Sequence, residues 1–248
     1  MVLIMGKLKA ALVHLGVTTM IVTLTAWVIF GYWYPEPYSE LSGAWGLFGL
    51  VLLVEICLGP LMSFVVFNAS KSVKELVFDY FVVGFIQLAG LSYGVYSVFL
   101  AHPIYVVYAV DRYELVVAAD LLESDRLDAT QILNLLAGPT VVAVKFPDDV
   151  EERTNLLFSA VLGGKDIHLS PEYYVVMDAA LVRQRMRPLT QLRDKIQAEN
   201  RVDLLAGLDQ SSDGSQAWVP FMNNGLAWTA IVDTSSGIPI RLLDFDPF

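Results

Sequence analysis

Three long apolar stretches in the first hundred residues place the strongest constraint on how this chain can fold. They cover residues 10–33, 45–67 and 76–100. A membrane-spanning helix needs about 20 mainly apolar residues, because the hydrocarbon core is about 30 Å thick and a helix rises about 1.5 Å per residue. Each stretch is long enough, so the sequence predicts a transmembrane region at residues 1–100 with three helices.

A cleaved signal peptide is the alternative interpretation of the first stretch, which has basic residues at its start. Its apolar part is longer than the roughly 7–15 residues of a signal-peptide core, and the exit sequence at 31–35, GYWYP, contains no small-residue cleavage site. We therefore expect an uncleaved helix.

The short connections between the stretches differ in charge. Basic residues occur before the first stretch and between the second and third, whereas the loop at 34–44 contains two acidic residues and no basic one. Positively charged loops remain in the cytoplasm. We therefore expect a cytoplasmic N-terminus and an extracytoplasmic segment after residue 100. The basic residues are Lys7, Lys9, Lys71 and Lys74.

The segment 101–248 has the composition of a soluble domain, and with the orientation above it is predicted to be periplasmic. Of the formal net charge of −10, this segment carries −9. An acidic domain argues against nucleic-acid binding, which requires a basic surface. The lone cysteine, Cys57, lies in an apolar stretch and cannot form an internal disulfide. A domain of about 150 residues can bury a sufficient core without one.

The pattern of the C-terminal segment predicts an α+β domain with an antiparallel sheet. Residues 104–119 form either one long strand or a hairpin broken at Asp111-Arg112, and Asn223-Asn224-Gly225 is a hairpin turn. Residues 202–216 are expected to form a loop. Helices are predicted at 120–136, 148–162, 171–187 and 189–200, and further strands at 140–146, 217–222, 226–233 and 238–244.

Two polar residues inside the predicted spans are candidates for contact with a partner. Glu55 lies near the middle of the second stretch and Gln87 near the centre of the third. An ionisable group in a bilayer costs about 2.5–3.5 kcal/mol on the insertion scale, so it usually faces protein. Glu55 either makes a hydrogen bond within the three helices or contacts a partner helix. Gln87 is of the type that links helices by hydrogen bonds.

Arginines form a basic group in the otherwise acidic C-terminal domain. Arg183, Arg185, Arg187 and Arg193 lie close in sequence, and Arg183 and Arg187 would share a face of the predicted helix. The group is either a docking surface for an acidic partner or is paired locally with acids such as Asp178.

No pattern in the sequence indicates an active site. There is no P-loop, no dinucleotide-binding glycine pattern and no nucleophile elbow, and His14, His102 and His168 are widely separated. We therefore expect no enzymatic activity, cofactor, metal or small-molecule substrate.

Several segments along the whole chain make it similar to the TfpX/TfpZ family of type IV pilin accessory proteins. These segments are 101–107 (AHPIYVV), 110–114 (VDRYE), 152–160 (ERTNLLFSA) with Gly163-Gly164, 171–174 (PEYY), 187–189 (RPL) and 243–248 (LDFDPF).

The resemblance implies a bacterial inner-membrane protein that is produced alongside a major type IV pilin. Such a protein would support pilus assembly as an accessory or chaperone, by handling pilin stored in the membrane and altering the balance of extension and retraction. The major pilin and the lipid bilayer would then be its partners. The alternatives are a pilin-modifying enzyme, for example a glycosylating one, and a membrane sensor.

Overall fold

The computed structural model describes residues 2–122, 137–162, 165–208 and 214–248, and these form two compact units. The helical unit comprises Met1–Pro35 and Gly43–His102. The sheet unit comprises Glu36–Ser42 and Pro103–Phe248. The short segment Glu36–Ser42 therefore belongs to the sheet unit, although it lies between two parts of the helical unit in sequence.

The helical unit consists of three long apolar helices. Helix α1 covers Val2–Val28 and continues as one turn of π-helix at Ile29–Trp33. Helix α3 covers Ala44–Val66 and α4 covers Val73–Leu100. All three are long and apolar enough to cross a membrane. The membrane part of the predicted fold class is thus confirmed, and the chain is a membrane protein.

Helix α3 packs against both α1 and α4. The approach to α4 is close at Gly94, where an added Cβ would lie 2.5 Å from a methyl group of Val51. Aromatic rings join the ends of the helices, since Phe30 stacks on Trp45 with ring centroids 3.8 Å apart. The Tyr34 hydroxyl donates to the main-chain oxygen of Val98 on α4 at 2.7 Å. Small residues and interhelical hydrogen bonds are the usual means of holding membrane helices together.

Among its described residues, the sheet unit is built on one eight-stranded sheet. The strands are β1 Pro103–Ala109, β2 Arg112–Val117, β3 Thr140–Val144, β4 Tyr174–Val176, β5 Arg187–Pro188, β6 Gln216–Asn223, β7 Leu226–Asp233 and β8 Pro239–Leu243. Their order is β4-β3-β1-β2-β6-β7-β8, and β5 pairs with one end of β6. The α+β class is confirmed, but the sheet is mixed, because β1 pairs with β3 and β2 with β6 in parallel.

Two hairpins with tight turns join neighbouring strands of this sheet. Residues 104–119, for which the sequence allowed one long strand or a hairpin, contain a hairpin. Its strands β1 and β2 are joined at Val110-Asp111. Val110 has a φ of +60°, which a β-branched residue rarely adopts. The β6–β7 turn is as predicted, with φ of +47° at Asn224 and +79° at Gly225. Positive φ at both central residues is what a two-residue hairpin turn requires.

The prediction of a helix over 171–187 is wrong. This segment contains a single 3-10 turn at Pro171–Tyr173, strand β4 and a short helix at Ala179–Arg183. Aromatic and β-branched residues at 174–176 favour a strand, and β3 supplies an antiparallel partner for it. The side chain of Asp178 then accepts a hydrogen bond from the Ala180 amide and begins the short helix.

The other helices of the sheet unit are short. Helix α5 covers Ala118–Leu122; the predicted helix at 120–136 overlaps its end and otherwise lies outside the described residues. The predictions at 148–162 and 189–200 correspond to helices at Val150–Val161 and Leu189–Ala198. Within the predicted loop at 202–216, a 3-10 helix covers Val202–Gly207.

Hydrophobic side chains are buried on both faces of the sheet. On one face, Leu192 and Ile196 of the helix Leu189–Ala198 pack with Trp218 and Ile231. On the other face lies a larger cluster that contains Val106, Tyr113, Val219 and Phe221. The alternation of side chains along each strand assigns them to the two clusters.

The segment Glu36–Ser42 contributes to the larger of these clusters. It forms a short helix, α2, at Tyr38–Leu41, and Tyr38 and Leu41 are each only 5% exposed. The Asn223 side chain donates to the main-chain oxygen of Leu41 at 2.9 Å. Burial raises the pKa of Tyr38 to about 12, so its hydroxyl stays neutral in the core. The chain between α1 and α3 is therefore a structural part of the sheet unit.

Replacing Leu41 by alanine should destabilise the sheet unit. A buried leucine-to-alanine change removes apolar contacts and leaves a cavity, which costs about 2–5 kcal/mol of unfolding free energy. We expect a lower urea midpoint for proteolytic cleavage of the sheet unit in the detergent-purified full-length protein. Glu40→Ala is the matched control, because Glu40 is exposed on the same short helix. Equal midpoints for Leu41→Ala and Glu40→Ala would contradict the assignment of this segment to the core.

Candidate functional site

Two of the predicted contact residues, Glu55 and Gln87, meet inside the helical unit. The Gln87 amide on α4 donates to Oε2 of Glu55 on α3 at 3.3 Å. Glu55 is 5% exposed. The structure thus contains the internal hydrogen bond that was one of the two interpretations of Glu55.

His14 of α1 and Ser63 of α3 extend this pair into a larger group. One ring nitrogen of His14 is hydrogen-bonded to the Ser63 hydroxyl, and the other to Oε1 of Gln87. We call these four residues, His14, Glu55, Ser63 and Gln87, the polar cluster. It connects all three long helices by side-chain hydrogen bonds.

Sequence reasoning missed the participation of His14 and Ser63. His14 is 49 residues from Ser63 and 73 from Gln87, so no spacing within one helix joins them. The one available signal was that each is a polar residue in an apolar stretch, where an unpaired polar group is costly. Gly59 permits the approach, since a Cβ there would collide with the Gln87 side-chain amide.

The chemistry of the polar cluster is that of hydrogen-bonded packing in a medium of low polarity. Each of its members has at least one partner in another helix, which fixes the register of the three helices. Among the residues that the structure describes, no group of three His, Cys, Asp or Glu side chains is placed to hold a metal ion.

A groove of about 370 Å³ lies beside the polar cluster, between α3 and α4. We call it the α3–α4 groove. Glu55 lines it, together with Val51 and Val54 of α3 and Tyr93 and Ser97 of α4. The second carboxyl oxygen of Glu55, Oε1, lies 3.5 Å from the position that a Cβ on Gly90 would take. The groove is thus apolar except for the Glu55 carboxyl and two hydroxyl groups.

The arginines of the sheet unit do not share a helix face as predicted. The short helix ends at Arg183, and Arg187 lies in β5. Both are exposed, as is Arg185. The Arg187 guanidinium lies 4.7 Å from the centre of the Trp218 ring, a cation–π contact.

Local pairing of these arginines with neighbouring acids is not found in the described part of the chain. None of the ion pairs there involves Arg183, Arg185 or Arg187. The carboxylate of Asp178 caps a helix, and Arg193 donates to the main-chain oxygen of Leu208 at 3.2 Å. Arg183, Arg185 and Arg187 are therefore exposed and have no acidic partner among the described residues, although Arg187 contacts Trp218.

Comparison with known proteins finds fimbrial assembly proteins both among family models and among individual relatives. The family described as Fimbrial assembly protein FimB matches residues 3–43, which include α1 and α2. Two relatives from Dichelobacter nodosus, named fimbrial assembly proteins of serogroups I and E1, are 29% and 28% identical over 93% of this chain and 92% of their own length. No solved structure matches.

A third relative is more similar over a shorter region. The fimbrial assembly protein of serogroups C1 and C2 from Dichelobacter nodosus is 35% identical over 114 residues, which make up 46% of this chain and 87% of that relative. On the strength of this identity over most of the relative, the chain belongs to the family of fimbrial assembly proteins.

Proposed function

We propose that this protein is a non-enzymatic accessory of type IV pilus assembly that handles the major pilin in the membrane. The observation that carries the proposal is the similarity to fimbrial assembly proteins over 93% of the chain, which includes both units. The more specific relation to TfpX/TfpZ proteins, with a chaperone-like influence on extension and retraction, is part of the proposal.

We place the protein in the bacterial inner membrane with the sheet unit in the periplasm. The charge of the connections supports this orientation, because Lys71 and Lys74 lie between α3 and α4. The fold is compatible with it, since three spans put the α1–α3 connection and the chain after α4 on the same side. Tyr38 and Leu41 of that connection are buried in the sheet unit, which requires the same arrangement.

The α3–α4 groove is our candidate for contact with the transmembrane helix of pilin. Pilin waits in the membrane as a single helix with a globular head outside. The groove offers that helix an apolar surface in which the Glu55 carboxyl, supported by Gln87, can accept a hydrogen bond. A hydrogen bond made in the bilayer has little competition from water.

The exposed arginines are our candidate for contact with the pilin head. Arg183 and Arg187 are charged, exposed and without an acidic partner among the described residues. An acidic patch on the head would be attracted to them, and such attraction raises association rates more than affinity.

Deletion of the gene should remove surface pili, and pili should return when the retraction motor is also disabled. This outcome is expected because an accessory that shifts the balance of extension and retraction is dispensable once retraction stops. Electron microscopy or shearing of surface pili measures both strains. Unchanged pili in both backgrounds would contradict the proposal, and a change in the mass of pilin would favour the modifying enzyme instead.

Glu55→Ala should lower the amount of pilin that co-purifies with the protein by about threefold to tenfold, the range expected for one interhelical hydrogen bond. Leu58→Ala is the matched control, because Leu58 is 51% exposed on the same helix. Glu55→Gln keeps a side-chain oxygen that can accept from Gln87 and from pilin, and should therefore retain most of the binding. Undiminished pilin binding by Glu55→Ala would show that the helix binds elsewhere.

Arg183→Glu should weaken pilin binding, and more strongly at low than at high salt, since salt screens exposed charges over about 10 Å at 0.1 M. Lys145→Glu makes the same change of charge at another exposed residue of the sheet unit and should have little effect. Equal weakening by both variants would mean that net charge alone matters, and would remove the arginines as a specific contact.

A further inference from the structure

A second groove of the helical unit is lined by α1 and α4. We call it the α1–α4 groove. It has a volume of about 560 Å³, and its walls include Val13 and Val17 of α1 and Tyr80 of α4. Phe67, which follows α3, also lines it, and its ring comes close to α1 because Gly6 has no side chain. A Cβ on Gly6 would lie 2.8 Å from that ring.

The length and volume of this groove are sufficient for one hydrocarbon chain. The lining residues of α1 run from Gly6 to Val17, a length of about 17 Å at about 1.5 Å per residue. A volume of about 560 Å³ along that length leaves room for an extended acyl chain.

A free positive charge borders the groove. Lys9 lines it, is exposed, and takes part in none of the ion pairs of the described residues. The neighbouring basic residue is engaged otherwise, since the Lys7 ammonium lies 5.6 Å from the centre of the Phe64 ring. Lys9 lies just before the apolar stretch 10–33. Its ammonium group is therefore at the depth in the bilayer where the lipid headgroups begin.

The other polar groups of the lining residues are not open to a ligand. The Tyr80 hydroxyl is buried, although it has no hydrogen-bond partner among the described residues. The His14 ring also lines the groove, but both of its nitrogens are bonded to Ser63 and Gln87.

Acidic residues near the start of α4 are already paired. Lys71 forms an ion pair with Asp79 at 2.6 Å. Glu75 accepts hydrogen bonds from the amide and hydroxyl of Ser72 in a capping box. Neither acidic residue is among those that line the groove, and Lys9 is the charged residue in that lining.

We propose that the α1–α4 groove binds an anionic phospholipid. The lipid phosphate pairs with the Lys9 ammonium. One acyl chain lies along Val13 and Val17 over the Phe67 ring. The site is distinct from the α3–α4 groove, and the proposal does not depend on the role in pilus assembly.

The test uses the detergent-purified full-length protein without pilin, titrated with phosphatidylglycerol or with phosphatidylcholine of the same chain length. Native mass spectrometry measures the bound lipid. We expect phosphatidylglycerol to bind about fivefold more tightly than phosphatidylcholine. One lysine attracts an anionic headgroup more strongly than a zwitterionic one by about this factor. Lys9→Gln should abolish this preference, while Lys74→Gln, which changes another exposed lysine, should leave it intact.

Two further variants locate the lipid in the groove. Val13→Trp should fill the groove and reduce the binding of both lipids, whereas Val65→Trp, at an equally exposed position of α3, should not.

Equal affinity for the two lipids, or equal effects of Lys9→Gln and Lys74→Gln, would overturn the proposal. So would normal lipid binding by Val13→Trp. Displacement of bound phosphatidylglycerol by added pilin in proportion to its concentration would identify a protein helix as the occupant. Because pilin is absent from the first titrations, their failure would leave the proposed function in pilus assembly untouched.

Discussion

The burial of the segment Glu36–Ser42 in the core of the sheet unit is the interaction on which the rest of the structure depends. Tyr38 and Leu41 enter the larger hydrophobic cluster, and Asn223 holds the main chain of Leu41. The sheet unit is consequently joined to the helical unit at three points of the chain, at both ends of this segment and before Pro103. Two candidate spans, α3 and α4, lie between this segment and Pro103, and an even number of spans returns the chain to the same side of a bilayer.

Inside the helical unit, hydrogen bonds supply the specificity that hydrophobic burial cannot give in a lipid environment. Lipid tails are as apolar as leucine, so apolar side chains alone do not choose one register of α1, α3 and α4. The polar cluster does, because His14 and Gln87 each bond partners in another helix. The same cluster leaves the Glu55 carboxyl beside one groove and the His14 ring beside the other. Packing and candidate binding surfaces thus share residues.

In the sheet unit, local rules succeeded where the determining contacts are local. The Asn224-Gly225 turn and the β6–β7 hairpin follow from residues that tolerate positive φ. The prediction of a helix at 171–187 failed because residues 174–176 gain an antiparallel partner in β3, about 30 residues earlier in the chain. That failure also changed the candidate site, since Arg183 and Arg187 lie on different elements and share no helix face.

The sequence by itself determined the three long helices, the acidic α+β segment after them and the β6–β7 hairpin turn, because apolar length, charge and turn residues act within short stretches of chain. Only the tertiary structure decided the two parallel strand pairs, the place of Tyr38 in the sheet core, and the meeting of His14 with Ser63 and Gln87. These features join residues separated by dozens of positions. Their partners are selected by packing and by the cost of unpaired polar groups, which no local pattern records.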